Sequence, residues 1–203
     1  MDNLQIGEVR MRSYQISEYS RFFLENVLEE GSFCIDATAG GGNDTLFLCE
    51  KVGKSGKVIA FDIQQVALDK TAERLEKEGV RERAKLVLDS HVNLQNYAEA
   101  ESVDVIMFNL GYFPGGDHTI HTKAESSIKA IQAGLKLLKK GGILSLCIYS
   151  GGDSGFEEKE ALMDYLKTLD CKKYLVILSQ YYNRPNHPPI PVLIVKMENC
   201  ADS

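Results

Sequence analysis

The sequence predicts a doubly wound α/β fold in which one sheet of seven mostly parallel strands carries helices on both faces. Short apolar runs alternate with amphipathic segments along most of the 203 residues, and this alternation is typical of parallel strands joined by crossover helices. The last two apolar runs are separated only by a loop that holds four of the five prolines. Because that loop leaves no room for a crossover helix, the two final strands are expected to pair antiparallel.

The individual elements follow from local signals in the sequence. Apolar runs predict strands over 32–36, 57–62, 84–88, 103–110, 143–149, 174–179 and 192–197. Apolar residues at helical spacing predict helices over 17–28, 44–52, 65–78, 125–140 and 154–169. Asn43 or Asp44 is a suitable N-cap for the second helix, and Gly141-Gly142 is expected to end the fourth.

The composition limits the class of protein. Hydrophobic residues make up 44% of the chain and charged residues 26%, which is the mix of a soluble globular protein. We expect one domain over 1–203, with an N-terminal extension and helix over 1–30 and a Rossmann-like core over 31–200. Five scattered cysteines without C-x-x-C spacing indicate neither a disulfide framework nor a metal site, and they favour a reducing, cytoplasmic location.

Membrane and nucleic-acid binding are also constrained by the sequence. No apolar run approaches the length of a membrane span, so no membrane association is expected. The formal net charge of −6 argues against nucleic-acid binding through overall charge, although it leaves room for a local basic patch.

Polar and glycine-rich segments follow the first three predicted strands, at the sheet edge where ligands bind in such folds. Asp36-Ala-Thr-Ala-Gly-Gly-Gly-Asn-Asp44 follows the first strand, Asp62 closes the second, and Asp89-Ser-His91 closes the third. Glycines let a backbone approach a ligand closely, and a carboxylate at Asp62 can accept hydrogen bonds from both hydroxyls of a ribose. The combination favours an adenosine-type ligand over a simple tight turn. The candidate cofactor-binding residues are Asp36, Thr38, Gly40, Gly42, Asn43, Asp44, Asp62, Gln64, Asp89, Ser90 and His91.

The glycine segment distinguishes between adenosine cofactors. It reads D-x-T-x-G-x-G and lacks the G-x-G-x-x-G spacing of pyrophosphate-binding loops. It resembles motif I of class I S-adenosylmethionine-dependent methyltransferases, usually D-x-G-x-G-x-G, with Thr38 at the first glycine position. The seven-stranded sheet with an antiparallel C-terminal strand also matches that family. The resemblance implies that Asp36 lies near the methionine part of S-adenosylmethionine, that Asp62 holds its ribose and that residues 89–91 contact its adenine.

The fourth strand ends in Asn109-Leu-Gly-Tyr112, followed by Pro-Gly-Gly-Asp117-His118. Methyltransferases that act on amino nitrogens commonly carry [D/N]-P-P-[Y/F] here, and this chain keeps the Asn and the Tyr. The resemblance implies that the Asn109 side chain and the Leu110 carbonyl accept N–H bonds from the target amine. Tyr112 would then pack on the flat target. An alkylamine with a pKa near 10 arrives protonated, and Asp117 or His118 could take its proton; an ordinary turn explains these two residues equally well.

A closer resemblance rests on several segments together. D-A-T-A-G-x-G-x-D-T, F-D-I-Q, N-L-G-Y-x-P-G-G-D-H, Y-x-G-x-x-x-G-x-E-E-K and N-x-x-x-x-P-P are similar to those of one small bacterial family of rRNA methylases. That family is associated with methylation of 5-aminomethyl-2-thiouridine in tRNA (MnmM type). The resemblance implies conversion of the wobble-uridine aminomethyl group to methylaminomethyl with S-adenosylmethionine. Asn43 stands where many members have His.

The expected partner is the anticodon stem-loop of tRNA. Besides Leu110 and Gly111, the candidate substrate-binding residues are Tyr182, Arg184 and His187 of the proline-rich loop, where an aromatic ring can stack on an unpaired base. Arg10, Arg12 and Arg21 add positive charge near the N-terminus. Methylation of rRNA or of a small amine stays open, as do a non-catalytic adenosine-binding protein, a nucleotide-binding dehydrogenase and a homodimeric state.

Overall fold

A computed structural model describes residues 15–110, 124–149, 155–185 and 187–198. Its strands form one seven-stranded sheet in the order β3-β2-β1-β4-β5-β7-β6. The strands are β1 Phe33–Asp36, β2 Lys57–Asp62, β3 Ala84–Leu88, β4 Val103–Leu110, β5 Leu138–Ile148, β6 Tyr174–Leu178 and β7 Ile190–Lys196. The helices are α1 Ile16–Leu24, α2 Asn43–Val52, α3 Gln65–Lys77, α4 Ala124–Leu137 and α5 Gly155–Lys167, with short 3-10 turns at Arg81–Arg83 and His91–Asn96.

The strand pairing confirms the predicted fold class. Strands β1 to β5 are parallel, and β7 inserts antiparallel between β5 and β6. The first strand lies in the middle of the parallel part, with β2 and β4 on either side. The carboxyl ends of β1, β2, β3 and β4 therefore meet at one edge, and the candidate residues follow those ends.

The inner strands of the sheet are buried on both faces, which explains why they read as nearly continuous apolar runs, whereas the edge strands β3 and β6 are partly exposed. Along β4, Val105 and Met107 point to the core under α1, α2 and α3, while Ile106 and Phe108 point to the core under α4 and α5. Phe108 is 1% exposed, and its truncation to Ala would cost about 3–5 kcal/mol. This two-sided core holds the ends of the strands rigidly in place.

Several predicted boundaries differ from those of the structure, and three of the differences are informative. The first helix ends at Leu24 and not at residue 28. The N-cap of α2 is Gly42, with φ of 76°, and neither Asn43 nor Asp44. Helix α4 ends at Leu137, and β5 begins directly afterwards, so Gly141-Gly142 lies inside a strand.

The glycine pair allows an irregular β4–β5 pairing. Val103 pairs with Leu138 but Val105 pairs with Ile143, so the extra β5 residues bulge out. Gly141 has φ of 78°, and a Cβ on Gly142 would lie 2.9 Å from the Asp104 carbonyl oxygen. Glycine is needed here for the bulge and not as a helix stop.

The described cysteines are free thiols: Cys34, Cys49 and Cys147 are buried and Cys171 is exposed. Burial raises the pKa of the Cys49 and Cys147 thiols to about 12, so both stay protonated at neutral pH.

Within the described ranges, no helix has the length and apolarity to cross a bilayer, and no cluster of side chains in the same ranges is arranged to hold a metal ion.

Candidate functional site

The glycine loop between β1 and α2 is held by bonds to β2. The Ala39 amide donates to the Phe61 carbonyl over 2.8 Å, and the Gly40 amide donates to Asp62 Oδ2 over 2.9 Å. The loop turns back on itself through a 2.8 Å bond from the Gly42 amide to the Ala39 carbonyl. These bonds fix the loop directly above the carboxyl ends of β1 and β2.

Helix α3 packs against the same loop from the side. Thr71 Oγ1 donates to the Gly40 carbonyl over 3.2 Å, and Arg74 Nε donates to the Gly41 carbonyl over 2.6 Å. Gly42 has φ of 76°, and a Cβ there would lie 2.9 Å from Thr71 Cα. Only glycine therefore fits at position 42, because both the backbone conformation and the contact exclude a side chain.

Asp36 is completely buried at the start of the loop. Its carboxylate accepts bonds from Thr45 Oγ1 over 2.6 Å and from the Thr38 amide over 3.1 Å. Burial, followed by the neighbouring negative charge of Asp44, raises the pKa of Asp36 to about 7. In this structure Asp36 ties the loop to the first turn of α2; its contact with the methionine part of a cofactor stays a prediction.

Asp62 lies between the glycine loop and the start of α3. Its Oδ2 accepts from the Gly40 amide and its Oδ1 accepts from the Gln64 amide, each over 2.9 Å. Each oxygen retains a lone pair after these bonds. Because the backbone orients this half-buried carboxylate from both sides, its geometry suits the predicted role of accepting two ribose hydroxyls.

The end of β3 is organised by local bonds. Asp89 accepts from Asn93 Nδ2, Tyr97 Oη and the Ser90 amide, over 2.7–2.8 Å, and these bonds lower the pKa of its carboxyl. Ser90 Oγ accepts from the Val92 amide and so caps the following 3-10 turn. Both side chains shape this turn, and their contact with adenine remains a prediction.

His91 reaches back toward the glycine loop. Its ring packs edge-on against Phe108, with the centroids 6.0 Å apart, and it bonds to the backbone of Ala37. Burial lowers the pKa of the imidazole, so His91 is neutral at physiological pH. A neutral ring between the ends of β1, β3 and β4 suits the neutral adenosine part of a cofactor.

Asn109 joins the cofactor side to the substrate side. Its backbone amide donates to Thr38 Oγ1 over 2.8 Å, and its side-chain Nδ2 donates to Asp44 Oδ2. Asp44 Oδ1 in turn accepts from Arg21 Nε over 2.9 Å and from Arg21 Nη2 over 2.7 Å. Two residues predicted to bind cofactor, Thr38 and Asp44, thus contact the predicted catalytic asparagine. Thr38 supplies at motif I a hydroxyl acceptor that glycine would lack.

The proline-rich loop between β6 and β7 borders a separate cavity of about 340 Å³. The predicted residues Tyr182, Arg184 and His187 all line it, together with Lys159, Gln180 and Tyr181. His187 has φ of 47° and its ring packs against Phe156 of α5. The Tyr19 hydroxyl lies 2.8 Å from Ser179 Oγ, which links the start of this loop to α1.

Some predicted residues cannot be located. Gly111, Tyr112, Asp117 and His118 lie outside the described residues, as do Arg10 and Arg12. Leu110, the last residue of β4, is 2% exposed and pairs with Ile148. Among the predicted catalytic and substrate-binding residues at the end of β4, Asn109 and Leu110 lie within the described residues.

Sequence reasoning missed two participants. Lys159 lines the cavity from α5, and the only sequence signal for it was its place in the E-E-K segment. The sequence suggests that Arg21 adds positive charge for RNA, but its guanidinium bonds Asp44 and Glu18. No local pattern could reveal a contact between residues 21 and 44, because it depends on how α1 packs beside α2.

The chain matches one family model and is similar to a plant methyltransferase. A family model described as "Putative rRNA methylase" matches residues 58–195. The chain is 34% identical over 192 residues to the Arabidopsis thaliana "tRNA (mnm(5)s(2)U34)-methyltransferase, chloroplastic", covering 90% of this chain and 70% of that protein.

Solved structures resemble the chain over almost its whole length. A protein from Clostridium thermocellum described as a "putative rRNA-methylase" superposes with a TM-score of 0.88 at 41% identity, covering 91% of this chain and 99% of that one. A "putative methyltransferase" from Streptococcus mutans, solved in complex with SAH, superposes with a TM-score of 0.82 at 38% identity and with the same coverage.

Proposed function

Because the chain is an S-adenosylmethionine-dependent methyltransferase of the family described as "Putative rRNA methylase", we propose that it methylates a nitrogen atom. Its proposed substrate is tRNA, in which it converts the 5-aminomethyl group of wobble 2-thiouridine to 5-methylaminomethyl. The observation that carries the proposal is the position of Asn109, whose side-chain amide lies at the carboxyl end of β4 beside the glycine loop. The name of the Arabidopsis relative supports the choice of tRNA.

The residues of the glycine loop fit S-adenosylmethionine. The run from Gly40 to Gly42 carries no side chains, so a ligand can approach its backbone closely, while the contact of Gly42 with α3 fixes the position of that backbone. We assign the ribose to Asp62, the adenine to residues 89–91 with Gln64 beside them, and the methionine part to the loop from Asp36 to Asn43. When bound, the cofactor supplies an electrophilic methyl group.

Asn109 positions the nucleophile under this proposal. Its Nδ2 already donates to Asp44, so Oδ1 is the atom that accepts a bond from the substrate amine. Such a bond aims the nitrogen lone pair at the methyl group, and orientation supplies much of the rate enhancement in a displacement of this kind. Leu110, Gly111 and Tyr112 complete the amine site, with Asp117 or His118 taking the proton.

The cavity beside the proline-rich loop is proposed to bind RNA. Lys159 and Arg184 supply positive charge, and Tyr181 and Tyr182 supply rings on which a base can stack. Tyr182 is 97% exposed. A local cationic patch of this kind can bind RNA even though the net charge of the protein is −6, because phosphate binding depends on nearby cations. We further propose that a single domain carries both the cofactor site and the RNA-binding cavity. We also propose that the protein works in the cytoplasm, which the free cysteines support.

The test is methyl transfer from labelled S-adenosylmethionine to tRNA that carries the aminomethyl group. Nucleoside mass spectrometry should find methylaminomethyl-2-thiouridine, and tRNA without the aminomethyl group should stay unlabelled. Equal labelling of both tRNAs would show that the acceptor is wrong. Transfer to rRNA is the second candidate, because the family description names rRNA, and labelling of ribosomal RNA in the same assay would favour it.

A further inference from the structure

A chain of polar contacts runs from α1 through α2 to the end of β4. Arg21 of α1 places two N–H groups on Asp44 Oδ1, over 2.7 and 2.9 Å, and Asp44 Oδ2 accepts from Asn109 Nδ2. The Asp44 side chain is 10% exposed and that of Arg21 is 18% exposed. Glu18 Oε1 lies 3.2 Å from Arg21 Nη1, on the far side of the guanidinium. The Cζ atom of Arg21 lies 5.4 Å from the centre of the Phe47 ring.

This arrangement determines which way the Asn109 amide faces. A carboxylate only accepts hydrogen bonds, whereas an amide has one donor group and one acceptor atom. Because Asp44 accepts, Asn109 must turn Nδ2 toward it and Oδ1 toward the opposite side. Arg21 keeps Asp44 from rotating, since its two N–H groups hold the other carboxylate oxygen. Charge-assisted bonds of this kind are among the strongest in proteins.

We propose that Arg21 and Asp44 are positioning residues that orient Asn109 so that its Oδ1 faces the target nitrogen. The pair thereby selects a nucleophile that has an N–H to donate. Neither residue touches the reacting atoms; both act through Asn109. The identity of the amine rests on the function proposed above, but the orientation of the amide does not.

Exchanging the two interacting side chains tests this assignment. In Asp44→Asn, the new amide turns its oxygen to Arg21 and its Nδ2 to Asn109, so Asn109 must flip and present Nδ2 to the amine. In Asn109→Asp, two carboxylates face each other. The double variant restores a donor opposite an acceptor, and the carboxylate at position 109 still offers an oxygen to the amine. We expect each single variant to lower kcat about a hundredfold and the double variant to recover at least tenfold over either.

The matched control is Glu25→Gln. Glu25, directly after α1, pairs with Lys51 of α2 over 2.9 Å. Like Arg21 and Asp44, these two residues form an ion pair between the α1 region and α2, but Glu25 does not contact Asn109. Its kcat should stay within about twofold of the wild type. SAH affinity measured by calorimetry should be unchanged in Glu25→Gln and within a few-fold of the wild type in Asn109→Asp, which separates loss of orientation from loss of the fold. A large loss of SAH affinity in Asp44→Asn would mean that Asp44 binds the cofactor and would overturn its positioning role.

A spectroscopic readout is independent of activity. In protein labelled with ¹⁵N-asparagine, the side-chain amide signal that disappears in Asn109→Asp belongs to Asn109. Its bonded hydrogen should resonate downfield, and it should move upfield in Arg21→Gln and Asp44→Asn but not in Glu25→Gln.

Two other results would overturn the proposal: full turnover in Asp44→Asn, or an amide signal that no substitution at position 21 or 44 moves. If the wild type methylates no aminomethyl tRNA while the amide signal responds as expected, the function proposed above fails and the positioning role stands.

Discussion

The glycine loop after β1 and the proline-rich loop between β6 and β7 border different parts of the candidate site, and they are stabilised in different ways. Around the glycine loop, the carboxylates of Asp36 and Asp62 at the ends of β1 and β2 already accept bonds from the protein itself. In the proline-rich loop, the side chains of Tyr182 and Arg184 are exposed around a cavity.

The difference indicates two modes of recognition. A loop whose polar groups are fixed before binding can hold a small cofactor with little loss of conformational entropy. Exposed aromatic and cationic side chains gain partners only when a large ligand covers them, as RNA does. Substitutions in the glycine loop should therefore affect cofactor binding and stability, and substitutions around the cavity should affect only binding of the macromolecular substrate.

The strongest test of this comparison is Asp62→Ala. The substitution removes the two charge-assisted bonds that we propose Asp62 makes to the ribose, each worth about 1.5–3 kcal/mol. It also releases the Gly40 and Gln64 amides. Calorimetric titration with SAH should show affinity reduced by at least a hundredfold. Asp69→Ala is the control and should bind normally, because it removes an exposed carboxylate of the following helix α3 that bonds only Gln65 among the contacts described. Equal affinities would remove Asp62 from the cofactor site.

The buried carboxyl of Asp36 predicts a dependence of stability on pH. Its pKa of about 7 in the folded protein lies above the ordinary value of 3.8, so the folded state keeps a proton that the unfolded state releases between these values. The free energy of unfolding should thus fall by at most about 4 kcal/mol as pH rises from about 4 to about 7, and this contribution should be constant above that.

Asp36→Asn supplies the comparison for that experiment. The amide can accept from the Thr38 amide and donate to Thr45 Oγ1, so both present bonds have counterparts. Denaturant unfolding at pH 4, 5.5 and 7 should show the wild type losing stability relative to the variant. A difference that stays constant across these pH values would contradict the assignment of a raised pKa.

Asn109→Ala separates cofactor binding from turnover. The side chain bonds Asp44, and the backbone bond to Thr38 survives the substitution. We expect kcat to fall about a hundredfold, equivalent to about 2.7 kcal/mol of transition-state stabilisation, with SAH affinity within a few-fold of the wild type. Asn26→Ala replaces an exposed asparagine just after α1 that bonds the Phe22 carbonyl, and it should keep full turnover. Parallel loss of binding and turnover would place Asn109 in the cofactor site instead.

The smallest expected effect is on the KM for tRNA, after substitutions in the cavity beside the proline-rich loop. Lys159→Ala and Arg184→Ala should each raise the KM for tRNA about three- to tenfold at low salt, and the effect should shrink as salt rises, because the lost contacts are to phosphates. Lys167→Ala, on the same helix as Lys159 but paired with Asp164, serves as the control. An unchanged KM in both cavity variants would move the RNA-binding surface elsewhere.

Much of the cofactor side could be predicted from the sequence because its signals are local. A strand that ends in an acid and a glycine segment is visible in a few consecutive residues, and β2, β3 and β4 have the predicted bounds. The boundaries of α4 and β5 could not be predicted in the same way. Gly141-Gly142 is a helix stop by local rules, yet here it accommodates a bulge against the Asp104 carbonyl.

Apolar periodicity and turn residues are local properties, so the amino-acid sequence is enough to say which residues stand at the ends of the parallel strands. The partners of those residues depend on the folded arrangement of the chain. It placed Asp44 against Asn109 across 65 residues of chain, assigned Arg21 to Asp44 and brought Lys159 to the cavity with Arg184. These contacts depend on the order of the strands and on the packing of α1 and α5 against the sheet, and such long-range geometry is not encoded in any short segment.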